Sequence, residues 1–405
     1  MKIGRIERIR AKSGPQIIYD ADTPQRLIEP EQIAERPLPE FPRLVGPLDD
    51  FIRSITHDLP YEYKAVCALV WAGLEMSGWV QLATDPFLQP RFYACMIGPP
   101  GTGKSASEKE VRRALGPCFS KIHVEYSVDS GPALIEAASE HNRLLLSPDE
   151  LADLFEKARQ TPNAHNSLFG ELLRLYESNT TGRRVVKKNA EPIALDNVHL
   201  AVIGGATPER FDRMWTGTQG AAGGLQSRFV LAFSDQAAPA VKTPNRDEAI
   251  ESACVTLRNA GRQRAVKLSG DAQDLIATWN SGGHPRMLDM AKRFALILAA
   301  ADGRDQIDGD LTVRALKFAE HQIALFEKFM PLDSSGWGQA FENRIIAFFR
   351  RHTQASERDV RRAISPERYP GGYGAFEQAL RGLARSGKLI ASGTNRMGKT
   401  LWRLD

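Results

Sequence analysis

From Tyr93 onward the chain alternates short apolar runs with longer stretches of helical period. Tyr93 to Ile97, Ile122 to Tyr126, Arg143 to Leu146, Val198 to Ile203 and Phe229 to Phe233 are apolar and β-rich, and each has strand length. Helical segments separate them, an alternation that predicts an α/β fold on a parallel sheet. Upstream, Leu48 to Trp79 repeats apolar residues at helical spacing, with Phe51, Ile52, Ile55, Val66, Leu69, Val70, Ala72 and Leu74 on the inward side. Residues 48–235 are therefore read as an α/β core with a helical lead-in. Beyond Asp235 the pattern predicts helices only, over Arg246 to Asn259, Asp271 to Asn280, Met287 to Ala301 and Asp310 to Lys328. They make a small helical lid spanning 236–332. A further unit, 339–405, reads as three short helices (Phe341 to His352, Ser356 to Ala363, Tyr373 to Ser386) and two strand-like runs around the turn Gly393 to Gly398. This order predicts a winged helix-turn-helix. Residues 1–47 are polar, hold five prolines from Pro30 to Pro47, and read as an extended arm.

Composition changes this picture little, and charge changes it more. The 405 residues are 42% hydrophobic and 25% charged, an ordinary globular balance. The net charge of +4 is small, but Asn343 to Asp405 carries thirteen Lys/Arg against five Asp/Glu. The C-terminal unit is thus strongly basic and the rest slightly acidic. Cys67, Cys95, Cys118 and Cys254 form no C-x-x-C pair, which argues against a zinc site or a disulfide framework and fits a reducing cytoplasm. The apolar stretch Ala65 to Leu74 is interrupted by Glu75 and is too short for a bilayer. No secretory pattern follows Met1 to Arg5, so the expected location is cytoplasmic, with no membrane partner.

The sharpest chemistry follows the first strand. Gly98-Pro99-Pro100-Gly101-Thr102-Gly103-Lys104-Ser105 has the spacing G-x-x-x-x-G-K-S, between a strand and the helix Ala106 to Leu115. Glycines let backbone N–H groups curl around a phosphate, Lys104 reaches the β/γ oxygens, and the Ser105 hydroxyl can hold Mg²⁺. The helix N-terminus adds its positive dipole. The expected cofactors are ATP and Mg²⁺. Asp149 and Glu150 follow Leu144-Leu145-Leu146-Ser147-Pro148, so a strand delivers two acids to the carboxyl edge of the sheet. Asp149 is the candidate metal ligand and Glu150 the candidate base, and the same pair can also start a helix. Thr207, after the strand ending Gly204-Gly205-Ala206, has two readings: a γ-phosphate sensor, or the cap of the next helix. Arg228, before the last strand, is either a cation offered to a neighbouring subunit or a surface arginine. Arg286 and Arg293, on the lid, either reach the γ-phosphate from above or are solvated helix charges. Thr180 to Leu195 reads as a hairpin with Arg183, Arg184, Lys187 and Lys188 on its first arm and tip. It is a solvated charged hairpin or a contact for nucleic-acid phosphates.

In their order, GPPGTGKS, LLLSPDEL, ELLRLYES, HLAVIGGATPE and GLQSRF resemble an AAA+ ATPase, over Leu48 to Met330. More narrowly, the chain is similar to the YfjI-like helicase domains of phage and plasmid primase-helicases, related in layout to minichromosome-maintenance helicases. The resemblance implies a ring-forming homo-oligomer, expected as a hexamer, that hydrolyses ATP to translocate on single-stranded DNA during replication of a mobile element. It assigns Lys104 and Ser105 to the nucleotide, Asp149 and Glu150 to metal binding and water activation, Arg228 to an arginine finger in trans, and Arg183 to Lys188 to DNA in the pore. Duplex DNA would meet the winged helix through Tyr373 to Ser386, with Arg396 and Lys399 on its wing. The chain departs from the family at Thr207, where an amide residue is often the sensor. It also has no primase motif, so a separate primase or polymerase would be a partner. The other class of function is a DNA-bound initiator or loader, an ATP switch that unwinds nothing.

Overall fold

The structure, a computed structural model, describes residues 38–55, 58–160, 168–177, 195–215, 223–238, 248–260, 264–280, 286–329, 337–350, 352–366, 372–385, 387–394 and 398–404. They fall into two compact units, one within Pro37–Asp333 and one within Ser334–Asp405.

The larger unit opens with α1 (Pro47–Ser54) and α2 (Tyr61–Met76), then β1 (Val80–Leu82), β2 (Tyr93–Ile97), α3 (Lys104–Leu115), β3 (His123–Glu125) and α4 (Gly131–Glu140). It continues through β4 (Arg143–Leu146), α5 (Leu151–Gln160), α6 (Leu168–Glu177), β5 (His199–Ala206), α7 (Pro208–Trp215), the short α8 (Gly223–Gln226) and β6 (Phe229–Phe233). Strands β3, β4, β5, β2 and β6 lie in that order in one parallel five-stranded sheet. Every residue of β2 and β4 is buried, as expected of strands covered by helices on both faces. Helix α2 is apolar nearly all round, and it is correspondingly enclosed, packed on β2, β5 and β6 and against α3.

The region after Asp235 is not helical only. Helices α9 (Glu248–Ala260), α10 (Gly270–Thr278), α11 (Arg286–Ala301) and α12 (Gly309–Phe329) form where expected, but β7 (Arg264–Leu268) and β8 (Gln306–Ile307) lie among them. Together with β1 these make a second parallel sheet, in the order β1-β7-β8. In β7 only Val266 is buried, so the segment has no apolar run to betray it. Its partner β1 lies about 180 residues earlier, beyond the reach of local periodicity. The helices also share one continuous apolar core with the five-stranded sheet, α11 packing on α2 and α12 on β6.

The arm expected over 1–47 is corrected in its last part. Phe41 and Leu44 are buried, and the Phe41 ring meets Phe318 edge-on at 5.8 Å between centroids. The Tyr61 hydroxyl accepts from Leu44 N at 2.8 Å and donates to Asp49 Oδ1 at 2.8 Å. Residues 1–37 lie outside the described part.

The smaller unit comprises α13 (Trp337–Phe349), β9 (Ala355–Ser356), α14 (Glu357–Ile364), α15 (Gly372–Arg385), β10 (Leu389–Thr394) and β11 (Thr400–Leu404). Strand β11 pairs antiparallel with both β10 and β9. A core of its own gathers Phe341, Ile345, Phe349, Val360, Phe376 and Leu383. Ser356 and Asp359 close a capping box at the start of α14. Among the described residues of the whole chain, no helix is long and apolar enough to cross a membrane.

Candidate functional site

Strand β2 runs out at Ile97, and the chain turns into a loop pinned on three sides. Gly98 N donates to Ala206 O at 3.2 Å, the Tyr63 hydroxyl donates to Ile97 O at 2.7 Å, and Thr102 Oγ1 donates to Pro99 O at 3.0 Å. A Cβ on Gly98 would stand 2.4 Å from the Tyr63 hydroxyl, so no other residue fits there. Gly103, at φ 87°, makes the left-handed turn that starts α3. Lys104 opens the helix, and its Nζ donates to Gly98 O at 2.5 Å and to Pro99 O at 2.9 Å. Burial lowers the Lys104 ammonium from its ordinary value, against the pull of Glu150.

Strand β4 ends beside the same loop. Ser147 Oγ donates to Glu108 Oε1 of α3 at 3.2 Å, Asp149 is exposed, and Glu150 precedes α5. Glu150 Oε2 lies 3.4 Å from Arg210 Nη1, and Arg210 Nη2 also holds Asp153 at 2.5 Å. Oε1 of Glu150 is buried and takes no hydrogen bond among the described residues. Burial raises the Glu150 carboxyl, with Arg210 opposing and Asp153 reinforcing. A shallow cleft open to solvent is lined by Ser105, Glu108, Arg112, Ser147, Asp149 and Gly205 among others.

Strand β5 lies between β2 and β4, so Thr207 does follow a strand next to the loop. Its hydroxyl accepts from Arg210 N at 3.4 Å, a long cap for α7. The two glycines ahead of it matter more. A Cβ on Gly205 would sit 3.4 Å from the Lys104 side chain, and one on Gly204 3.1 Å from Leu151 Cβ, so the strand makes room for both. Sequence reasoning missed these glycines, Glu108 and Arg210; the run Gly204-Gly205 inside an apolar strand was the available signal.

Ser105 and Asp149 offer a hydroxyl and a carboxylate to one cleft, a hard-oxygen set that suits Mg²⁺ completed by phosphate and water. No group of three or more His, Cys, Asp or Glu able to hold a metal occurs among the described residues.

The three candidate arginines lie elsewhere. Arg228 precedes β6 and is therefore at the edge where the parallel strands begin, opposite the loop. Its Nε and Nη2 donate to Glu177 Oε1 at 3.1 and 2.6 Å, and its Nη1 donates to Gly224 O. It is 7% exposed, so the surface reading fails. Arg286 reaches the same Glu177 oxygen at 3.0 Å. Arg293 is buried, donates to Gln89 O and Arg91 O just ahead of β2, and lies 4.7 Å from the Tyr176 ring centroid. Arg286 and Arg293 therefore do not overhang this chain's own loop, because α11 packs where β2 begins rather than where it ends. Glu177, which gathers two of the three, was not singled out from sequence.

The hairpin residues Arg183, Arg184, Lys187 and Lys188, and Arg396 of the C-terminal turn, lie outside the described residues. Lys399 is exposed just ahead of β11. No protein-family model matches the chain, and no curated protein matches it, so its functional reading rests on these residues and their geometry.

Proposed function

We propose that this chain is an AAA+ ATPase that assembles into a ring and drives DNA unwinding during replication of a mobile element. The observation that carries the reading is the convergence, on one sheet edge, of the phosphate-type loop and an acid pair whose Glu150 Oε1 takes no hydrogen bond among the described residues. Lys104 and the N-terminus of α3 would take the charge of a triphosphate. Mg²⁺, held by Ser105 and Asp149, would neutralise charge on the β and γ oxygens. Glu150 Oε1 would accept a hydrogen bond from water and then its proton, while Arg210 holds Oε2. Burial raises that carboxyl above its ordinary value, which makes it a stronger base. Arg228 stands a five-residue strand away from its own loop, about 17 Å by strand rise, so it would serve a neighbour's nucleotide rather than its own.

Helices α9 to α12 supply the lid-like layer, and the smaller unit supports the winged-helix reading. Three helices with a small antiparallel sheet follow the order helix, strand, helix, helix, strand, strand; in a winged helix α15 would be the recognition helix, and Lys399 would lie on the wing. The test is strand displacement on a forked DNA by the purified chain with ATP and Mg²⁺. Unwinding that is lost in Lys104→Ala is expected. Hydrolysis stimulated by single-stranded DNA with no strand separation would instead make the chain an initiator or loader.

A further inference from the structure

Where β2 and β6 begin, a single carboxylate oxygen serves two guanidinium groups. Glu177 Oε1 accepts from Arg228 Nη2 at 2.6 Å, from Arg228 Nε at 3.1 Å and from Arg286 Nη1 at 3.0 Å. Burial pushes the Glu177 carboxyl up, but the two arginines outweigh it and hold it below its ordinary value. Two more arginines stand close by. Arg91 Nη2 donates to Leu175 O and Tyr176 O, and both Arg228 and Arg293 lie over the Tyr176 ring, at 5.6 and 4.7 Å. The carbonyl end of α6 carries the negative pole that suits this crowd. Nevertheless, one carboxylate faces two paired cations, and the pair keeps a surplus of positive charge.

The exposures differ in a telling way. Arg228 is sunk at 8% of its side chain, whereas Glu177 and Arg286 are open to solvent at 46% and 40%. Glu177 is the last described residue of α6, and its side chain is half open to solvent. Its oxygen occupies the position in which two guanidinium forks present donors to an anion, the geometry that also suits phosphate oxygens.

We propose that Arg228 and Arg286 form a second phosphate site and that Glu177 is its internal occupant, displaced by the terminal phosphate of a triphosphate presented by a second copy of this chain. This rests on the reading of Arg228 as acting in trans. A phosphate with two or more negative charges attracts two cations more strongly than a single carboxylate does, and assembly supplies it at the high local concentration needed to displace a side chain already in place. Until a partner arrives, Glu177 keeps both arginines folded onto their own subunit, and turnover depends steeply on assembly.

Two measurements decide it. In full-length Lys104→Ala chain, whose own loop is disabled, thermal shift with inorganic tripolyphosphate reads the second site. Adding Glu177→Gln, which keeps the shape and removes the charge, is expected to tighten tripolyphosphate by about tenfold, the worth of one charge-assisted hydrogen bond. Adding Arg286→Ala to that pair is expected to abolish the gain. Equal affinity with and without Glu177→Gln overturns the proposal, as does a gain that survives Arg286→Ala. A comparable Arg286-dependent shift produced by single-stranded DNA would assign the site to nucleic acid and overturn it too. Second, Arg228→Ala subunits are mixed with Lys104→Ala donors, or with Lys104→Ala/Glu177→Gln donors, at limiting protein. Several-fold faster ATP turnover with the second donor is expected. Equal turnover in both mixtures removes Glu177's role and leaves the trans reading standing. No turnover in either overturns the trans reading and the partner named here, whatever tripolyphosphate binds.

Discussion

His199 shows how one buried side chain ties this fold to acidity. Arg91 Nη1 lies 2.8 Å from His199 Nδ1, and a guanidinium can only donate, so Nδ1 is the acceptor and Nε2–H donates to Asn197 Oδ1 at 3.1 Å. Burial, then Arg91 and Arg143, push its pKa from 6.5 down to about 3. The unfolded chain therefore binds this proton first as pH falls, and the stability His199 contributes is full above pH 6.5 and drains away toward pH 3. Urea midpoints should drop across that window with a His199 share of up to ~1.4 kcal/mol per pH unit, and His199→Gln should flatten it. Identical pH profiles for both proteins would contradict the assignment. At the loop edge, Glu150→Gln should bind a fluorescent nucleotide with unchanged affinity yet turn ATP over ~10²–10⁴-fold more slowly. An unchanged rate would remove Glu150 as the base. Lys104, Ser105, Asp149 and Glu150 were legible because each sits in a local motif. Arg210 and Glu177 were not, because what they do is set by residues far along the chain that only the fold brings near.

Element boundaries were legible wherever a run was uniformly apolar. Strand β6 and strand β4 match their sequence readings residue for residue, and α11 differs by one residue at its start. Strands β1 and β8 escaped because they are short, and β7, as long as β2, escaped because it is mixed in polarity and defined by its partner. The function of α12 was also hidden. Its Phe318 stacks on Phe294 of α11 at 4.3 Å and 11° and meets Phe92 ahead of β2 and Phe41 of the N-terminal segment. One ring thus joins four segments. Phe318→Ala should cost about 3–5 kcal/mol in urea denaturation and leave one cooperative transition for the larger unit. Two separated transitions would mean that the helices and the sheet melt independently.

For the whole molecule, charge is the property that reports on partners. The basic run from Asn343 to Asp405 and the cations at Arg183 to Lys188 predict nucleic-acid affinity that falls log-linearly with salt. Fluorescence anisotropy with a labelled single strand should give a slope that shrinks by about 0.7 for each phosphate contact removed, so Arg183→Ala/Arg184→Ala should lower it by ~1.4. An unaltered slope would take those arginines off the strand. The β1-β7-β8 sheet has a different consequence, for birth rather than work. Val80–Leu82 must wait for Arg264–Leu268 and Gln306–Ile307, so most of the larger unit has left the ribosome before its second sheet can close. During synthesis the greasy flanks of α2 and β6, later covered by α11 and α12, stand bare, which makes the nascent chain a natural client for chaperones. A fragment stopped at Asp235 would keep that bareness permanently and should aggregate on expression.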